Sequence, residues 1–393
     1  MKKIVAITGS RADYGILKPI LIKINESPTL KLQIVATNAH LSEKYGKTIK
    51  NIEADGLKVQ YQVDNISDIS CPNSMAKSSG QATILLADIF LESKPDIVLL
   101  LGDRYETHAA ASAALLMNIP IAHIHGGEIS EGSIDEQLRH SITKMSHMHF
   151  CSTEIYRERI IQMGENPKNV YSVGAPGIDD IFENILNSEQ LSGLLDWDFV
   201  NEFVVFLYHP ETLINSNLER DLIKIEKSLL DSGLRIFFIE SNADFRGTVI
   251  SDWINKFCSK DKIKYKVAKN LDRNVYLSLL SRAKMLIGNS SSGIIEAASY
   301  RLPVVNIGVR QTGREKNPNV IDCKIQNLDK AIEVASSKSF KNSLKNLRNI
   351  YGNGNAAQKI VEILEKNTPG LIKQFCDLEC NKSNNKINDQ SYC

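Results

Sequence analysis

Residues able to do chemistry sit at the ends of short apolar runs. The run Met285–Ile287 breaks into Gly288, Asn289, Ser290, Ser291, Ser292 and Gly293, and a helical pattern follows over Ile294–Tyr300. Glycine lets the backbone approach a ligand, and hydroxyls and N–H groups at a helix start suit a phosphate, so this segment is read as a diphosphate site. A serine-rich helix cap without a ligand would use the same residues. Glu296 weighs towards a nucleotide, because a first-turn carboxylate reaches ribose hydroxyls, although such acids also serve the helix dipole. After the first apolar run, Thr8-Gly9-Ser10-Arg11-Ala12-Asp13-Tyr14-Gly15 lacks the Gly-x-Gly-x-x-Gly spacing of dinucleotide binding. Arg11 there offers a fixed charge for a phosphate.

A second group could move protons. Gly102-Asp103-Arg104 ends the strongest apolar run of the first half, where a charged pair is either a site or a strand-end ion pair. His123-Ile124-His125-Gly126-Gly127-Glu128 ends the next run, with His125 and Glu128 as site candidates and His123 as a satisfied core histidine. Asp135 and Arg139 lie one helical turn apart, so acid and base can face one cleft. His147 and His149 are assigned structural roles. In the second half His209 follows a strand and can exchange protons near neutral pH, and Arg310 follows another and can hold a phosphate. The histidines near Glu128 do not follow the His-Glu-x-x-His spacing of zinc proteases, and no metal is assigned.

These residues need strands to carry them. Runs at 4–7, 32–36, 97–101, 119–124, 149–151 and 170–173, then at 203–208, 234–239, 265–267, 285–287, 304–307 and 320–322, alternate with helical patterns. Continuous apolar strands between helices imply parallel sheets covered on both faces. The pattern occurs twice, which predicts two Rossmann-like, doubly wound α/β domains with ligands at the strand ends and in the cleft between them. The breaker Gly174–Gly177 sets the expected division into 1–178 and 179–367, and the turn at Asn367–Gly370 sets 368–380 apart from them, with 381–393 a polar tail.

At 393 residues the chain has room for two such domains. With 47 Lys and Arg against 46 Asp and Glu, and no basic block, neither nucleic acid nor a membrane surface is an expected partner. The apolar start is too short for a secretory signal, and seven scattered cysteines read as reduced thiols, which together predict a cytoplasmic protein.

Taken in order, Gly9–Tyr14, Gly102–Arg104, His123–Glu128, Arg139–Lys144, His209-Pro210, Gly288–Gly293 and Gly308–Arg314 resemble the hydrolysing UDP-N-acetylglucosamine 2-epimerases of sialic-acid biosynthesis, over about residues 3–322. The resemblance implies a glycosyltransferase-B type fold whose C-terminal segment 368–380 returns to the first domain, a homodimer or dimer of dimers, a UDP-sugar substrate and no cofactor. It assigns nucleotide contacts to Arg11, Ser291, Ser292, Glu296 and Arg310, and also to Ser290, Gly293 and Arg104. Proton transfer or charge stabilisation falls to Asp103, Asp135 and His209, with Arg139 nearby. The implied reaction turns UDP-N-acetylglucosamine and water into N-acetylmannosamine and UDP, through C2 deprotonation, loss of UDP and hydration of the glycal.

Many members carry Glu where this chain has His125, so His125, Glu128 and Asp135 all stand as candidates for the C2 base. The same motifs serve a 2-epimerase acting on UDP-2,4-diacetamido-2,4,6-trideoxyglucose in legionaminic-acid synthesis. A glycosyltransferase would need an acceptor, and a non-catalytic nucleotide-sugar sensor would not need Asp103, Asp135 and His209 together.

Overall fold

A computed structural model describes all residues except 38–39, 44–45, 65–72, 132, 210–217, 241–246, 270 and 379–393. Among the described residues thirteen strands form two wholly parallel sheets. The first has seven strands: β1 (Lys2–Thr8), β2 (Leu30–Thr37), β3 (Val59–Val63), β4 (Ile97–Leu101), β5 (Ile121–Ile124), β6 (Met148–Cys151) and β7 (Val170–Ser172), in the order β3-β2-β1-β4-β5-β6-β7. The second has six: β8 (Val204–Leu207), β9 (Ile236–Ile239), β10 (Tyr265–Ala268), β11 (Leu286–Gly288), β12 (Val304–Ile307) and β13 (Val320–Cys323), in the order β10-β9-β8-β11-β12-β13.

Residues of the central strands are buried on both faces, and period-two alternation divides them between two layers of core. In β1, Ile4 and Ala6 pack with Leu17, Ile20 and Leu21 of the helix Arg11–Glu26, while Val5 and Ile7 pack with Leu86, Phe90 and the alanines at 109–111 on the other side. The second sheet repeats the plan: Val204 and Phe206 join one cluster, Val205 and Leu207 another. Each buried Ile or Leu contributes about 1.5–3 kcal/mol, which explains why short strands suffice.

In both sheets the order reverses direction once, between β1 and β4 and between β8 and β11. Loops leaving adjacent strands part there and open a crevice. The first holds Gly9–Arg11 and Gly102–Arg104, and the second holds His209 and Gly288–Ser292. At the second, Gly288 has φ +144°, and a Cβ there would lie 1.8 Å from the Leu207 carbonyl oxygen, so only glycine fits.

After β7 the chain crosses to the second domain, and it crosses back through Tyr351–Gly354. The two crossings touch: the Ala175 N–H donates to the Tyr351 carbonyl at 2.7 Å, and the Asp179 carboxylate accepts from the N–H groups of Ala356 and Ala357 at 3.0 and 2.6 Å. The helix Ala356–Lys366 then packs Ala357, Ile360, Val361 and Leu364 into the first domain's core, so the return precedes residue 368. Its apolar stripe at i, i+3, i+4 and i+7 requires a buried partner, which the helix Arg11–Glu26 supplies. Among the described residues no helix is long and apolar enough to cross a membrane. The tail 381–393 lies outside the described residues.

Candidate active site

The first-domain half of the site forms where β5 ends. His125 follows Ile124 with φ +64°, a conformation unusual for a non-glycine residue, held because its N–H donates to the Phe150 carbonyl at 3.0 Å. This turn faces the buried His125 ring towards Glu128, and His125 Nδ1 and Glu128 Oε1 are hydrogen-bonded. Glu128, 1% exposed, also accepts from Ser152 Oγ at 2.9 Å and Arg139 Nη1 at 3.2 Å, and pairs with Arg314 Nη2 at 3.3 Å. Burial alone would raise its pKa, but the neighbouring His125, with its hydrogen bond, and the charges of Arg314 and Arg139 outweigh that and hold the carboxyl well below the usual carboxylate range.

Arg139, on the helix Asp135–Met145, gathers the cluster: it donates to Asp103, to Ser130 Oγ at 3.0 Å and to the His125 carbonyl at 3.3 Å. Asp135, one turn earlier, accepts from Ser133 Oγ, and burial together with the Asp103 charge pushes its carboxyl up. Asp103, His125, Glu128, Asp135 and Arg139 thus come together at the ends of β4 and β5. His123 lies beneath them, its Nε2 at 2.7 Å from the Gly102 carbonyl and its pKa lowered to about 3 by burial, as a core histidine. His149 is equally internal, 3.1 Å from Glu165.

The second-domain half is organised by Asn289, which is wholly buried. Its side chain accepts from the His209 N–H at 2.7 Å and donates to the His209 carbonyl at 2.9 Å, while its own carbonyl accepts from Arg310 at 3.1 Å and Gln311 at 2.9 Å. One asparagine therefore fixes the loops after β8, β11 and β12. Burial and then the Arg310 charge lower the His209 pKa to about 3, keeping that imidazole neutral. Ser290 Oγ caps the helix Ser291–Ile295 by accepting from the Ser292 N–H, and lies 3.1 Å from Ser292 Oγ, which also bonds Tyr276. Gly293 packs under β12, where a Cβ would come within 3.0 Å of Val304. Glu296 is paired with Arg273 at 2.9 Å, and Arg273 also holds Asp180.

Contacts between the halves make them one site. Arg11 pairs with Asp272, and Arg314 reaches Glu128 and the Ile129 carbonyl, the latter at 3.2 Å. Arg104 is engaged within the first domain, 3.2 Å from Glu106 and 4.0 Å from Asp13. Arg273, Ser130 and Ser152 escape the sequence reading, because nothing in their spacing separates them from ordinary polar residues, and Asn289 lies in the motif Gly288–Gly293 with no role of its own assigned by sequence. Arg314 lies in the motif Gly308–Arg314, yet only its contact with Glu128 distinguishes its role from that of Arg310. Among the described residues no cluster of three or more His, Cys, Asp or Glu side chains could hold a metal ion.

Comparison with known proteins gives a consistent result. The profile of the family described as UDP-N-acetylglucosamine 2-epimerase matches residues 22–365. The chain is 40% identical over 382 residues to the GDP/UDP-N,N'-diacetylbacillosamine 2-epimerase (hydrolyzing) of Campylobacter jejuni, covering 96% of this chain and 99% of the relative. It is 35% identical over 370 residues to the UDP-N,N'-diacetylbacillosamine 2-epimerase (hydrolyzing) of Legionella pneumophila, covering 93% and 96%. The crystal structure of UDP-GlcNAc 2-epimerase from Neisseria meningitidis bound to UDP-GlcNAc superposes with a TM-score of 0.79 at 20% identity, covering 93% of this chain and 100% of the other, a likeness of fold. Two doubly wound domains whose strand-end loops meet at Glu128, together with identity of this extent, place the chain in the hydrolysing UDP-sugar 2-epimerase family.

Proposed function

We propose that the chain converts UDP-N,N'-diacetylbacillosamine and water into 2,4-diacetamido-2,4,6-trideoxymannose and UDP. The observation that carries the substrate is the 40% identity, over nearly the whole of both chains, to a Campylobacter enzyme named for that sugar. This moves the substrate from N-acetylglucosamine, the first expectation of the sequence, to the diacetamido sugar.

The chemistry follows from proton-transfer groups at the strand ends of the first domain and a phosphate-binding loop at those of the second. A base removes the C2 proton, the C1–O bond breaks with its electron pair leaving on UDP, and a C1–C2 double bond remains. Water then adds its oxygen to C1 while a proton returns to C2 from the opposite face. His125 and Asp135 are the groups suited to these transfers: one is an imidazole at a strand end, the other a carboxyl whose pKa burial and the Asp103 charge raise above its ordinary value. Glu128 is saturated with donors and stays ionised, so its role is to fix the His125 ring. Arg310, Ser290, Ser291, Ser292 and the neutral His209 receive the departing diphosphate, with Arg11 closing from the first domain and Glu296 taking the ribose. The reaction so written needs no cofactor. A homodimer accords with the exposed Ile84, Leu91 and Leu116 on two neighbouring first-domain helices, and light scattering tests the assembly.

The family's description as UDP-N-acetylglucosamine 2-epimerase favours the second substrate. Offering UDP-N,N'-diacetylbacillosamine, its GDP analogue and UDP-N-acetylglucosamine in deuterated water, and identifying products by mass spectrometry and proton NMR, decides. The diacetamido UDP sugar should turn over fastest and carry deuterium at C2. Faster turnover of UDP-N-acetylglucosamine would establish the second reading, and protium at C2 would overturn both.

A further inference from the structure

Arg314 belongs to the second domain, yet its side-chain polar contacts lie in the first. It follows β12 by seven residues, and Nη2 lies 3.3 Å from Glu128 Oε2 while Nε donates to the Ile129 carbonyl at 3.2 Å. Its side chain is 9% exposed. Gly313, at φ +79°, brings the backbone so close that a Cβ would lie 2.4 Å from Ile129 Cγ2. The next residue continues the seam: the Glu315 N–H donates to Tyr156 Oη at 2.9 Å, and the Glu315 carbonyl accepts from Tyr351 Oη at 2.7 Å. The loop that begins with Arg310 beside Asn289 therefore ends inserted under the turn that carries His125 and Glu128.

We propose that Arg314 is a positioning residue for the reaction: it acts through Glu128 to hold the His125 ring in place, so that proton transfer is competent only while the Arg310 loop is docked on the first domain. Glu128 Oε2 is shared by Arg139 from its own domain and Arg314 from the other, while Oε1 is left for His125 and Ser152. Without Arg314 the carboxylate keeps one guanidinium and is free to rotate, and the ring that leans on it loses its fixed partner. Arg314 Nη1 is buried without a hydrogen-bond partner among the described residues, a costly arrangement that packing alone gives no reason to keep. The inference rests on the reading of His125 as a proton-transfer group.

A double-mutant cycle in the full chain tests it. Arg314→Gln should lower kcat about 10²-fold, the scale of a small misplacement of a reacting group, with KM and the UDP dissociation constant within about twofold of wild type. Arg314→Lys keeps the charge but cannot hold both acceptors, and should recover about tenfold of that loss. Arg314→Gln combined with Glu128→Gln should be no slower than Glu128→Gln alone, since both remove one linkage. Losses that multiply in the double variant, an unchanged kcat, or UDP affinity falling in step with kcat would each overturn the proposal. Should Arg314→Gln not fold, the Lys variant and its double with Glu128→Gln carry the same comparison. A wild-type enzyme that forms no free sugar from any of the three nucleotide sugars would defeat the functional reading instead. Docking is then read by amide hydrogen exchange, which Arg314→Gln should speed at 128–131 and not in β12; unchanged exchange at 128–131 would overturn it.

Discussion

In the proposed mechanism His125 is the residue on which the chemistry turns, and its environment separates proton transfer from binding. It touches Glu128 and, through its carbonyl, Arg139, while the proposed phosphate loop lies on the other sheet. His125→Ala should therefore lower kcat by about 10²–10⁴ and leave UDP affinity nearly intact. Rapid turnover by that variant would pass the role to Asp135. Arg310→Ala should do the reverse, weakening UDP binding by about 1.5–3 kcal/mol, the scale of a charge-assisted contact, and calorimetry showing unchanged affinity would remove Arg310 from the nucleotide site. At this scale the convergence of the candidate residues is legible in sequence, because they stand at strand ends and strand ends are marked by glycine. What is not legible is support. Glu128 reads as a candidate base, and only its four partners show that it is already committed. Asn289 reads as part of a serine-rich cap, and only its bonds to His209 show that it joins three loops.

Strands and their connections decide how accurately those residues are held. Gly288 lets β11 and β8 end side by side, and the residues flanking it, Leu207 to His209 on one strand and Asn289 to Ser292 on the other, carry the second half of the site. Gly288→Ala would drive a methyl into the Leu207 carbonyl at a φ that side chains avoid. It should lower stability by roughly 2–3 kcal/mol and weaken UDP binding together with it, seen as a reduced Tm and a raised dissociation constant. Retention of both would mean that the crevice tolerates a wider separation. The parallel strands were readable because burial on both faces leaves continuous apolar runs. β3 was not: Val59-Gln60-Tyr61-Gln62-Val63 is an edge strand with polar residues alternating into its pattern, and no apolar run announces it. The helix Ala356–Lys366 is amphipathic, but periodicity says only that an apolar face needs a partner. Which sheet supplies it depends on the crossing at Tyr351–Gly354.

Over the whole molecule, that second crossing turns the C-terminal segment into a strap on the first domain. Lys2 Nζ donates to the carbonyls of Leu364 and Asn367 at 2.6 Å, joining the chain's first strand to the end of the last helix. Beyond it, Lys373 Nζ donates to the Lys144 carbonyl at 2.7 Å and pairs with Glu165 at 2.9 Å, and the Cys376 N–H donates to the Gly164 carbonyl at 3.0 Å. Glu165 is the centre of this seam, facing Lys144, Lys373 and the buried His149. Burial opposes its charge, but hydrogen bonds from His149, Lys144 and Lys373 prevail and lower its pKa from 4.5 to about 2. A carboxyl depressed in the folded state stabilises above its unfolded pKa, and that stability fades as pH falls through the folded value. Glu165→Gln should thus cost about 2 kcal/mol and several degrees of Tm at pH 7, and the difference from wild type should shrink as pH falls from about 4.5 towards about 2. His149, whose pKa burial lowers, must take up a proton in acid and lowers the Tm of both proteins, so the comparison is between their difference at each pH. Lys373→Met should reproduce the loss at pH 7 if the strap is the route, because it removes the same pair from the other side. Calorimetry at stepwise pH that finds a constant difference between wild type and Glu165→Gln would mean that packing, not the carboxylate's charge, fastens the C-terminal segment to the first domain.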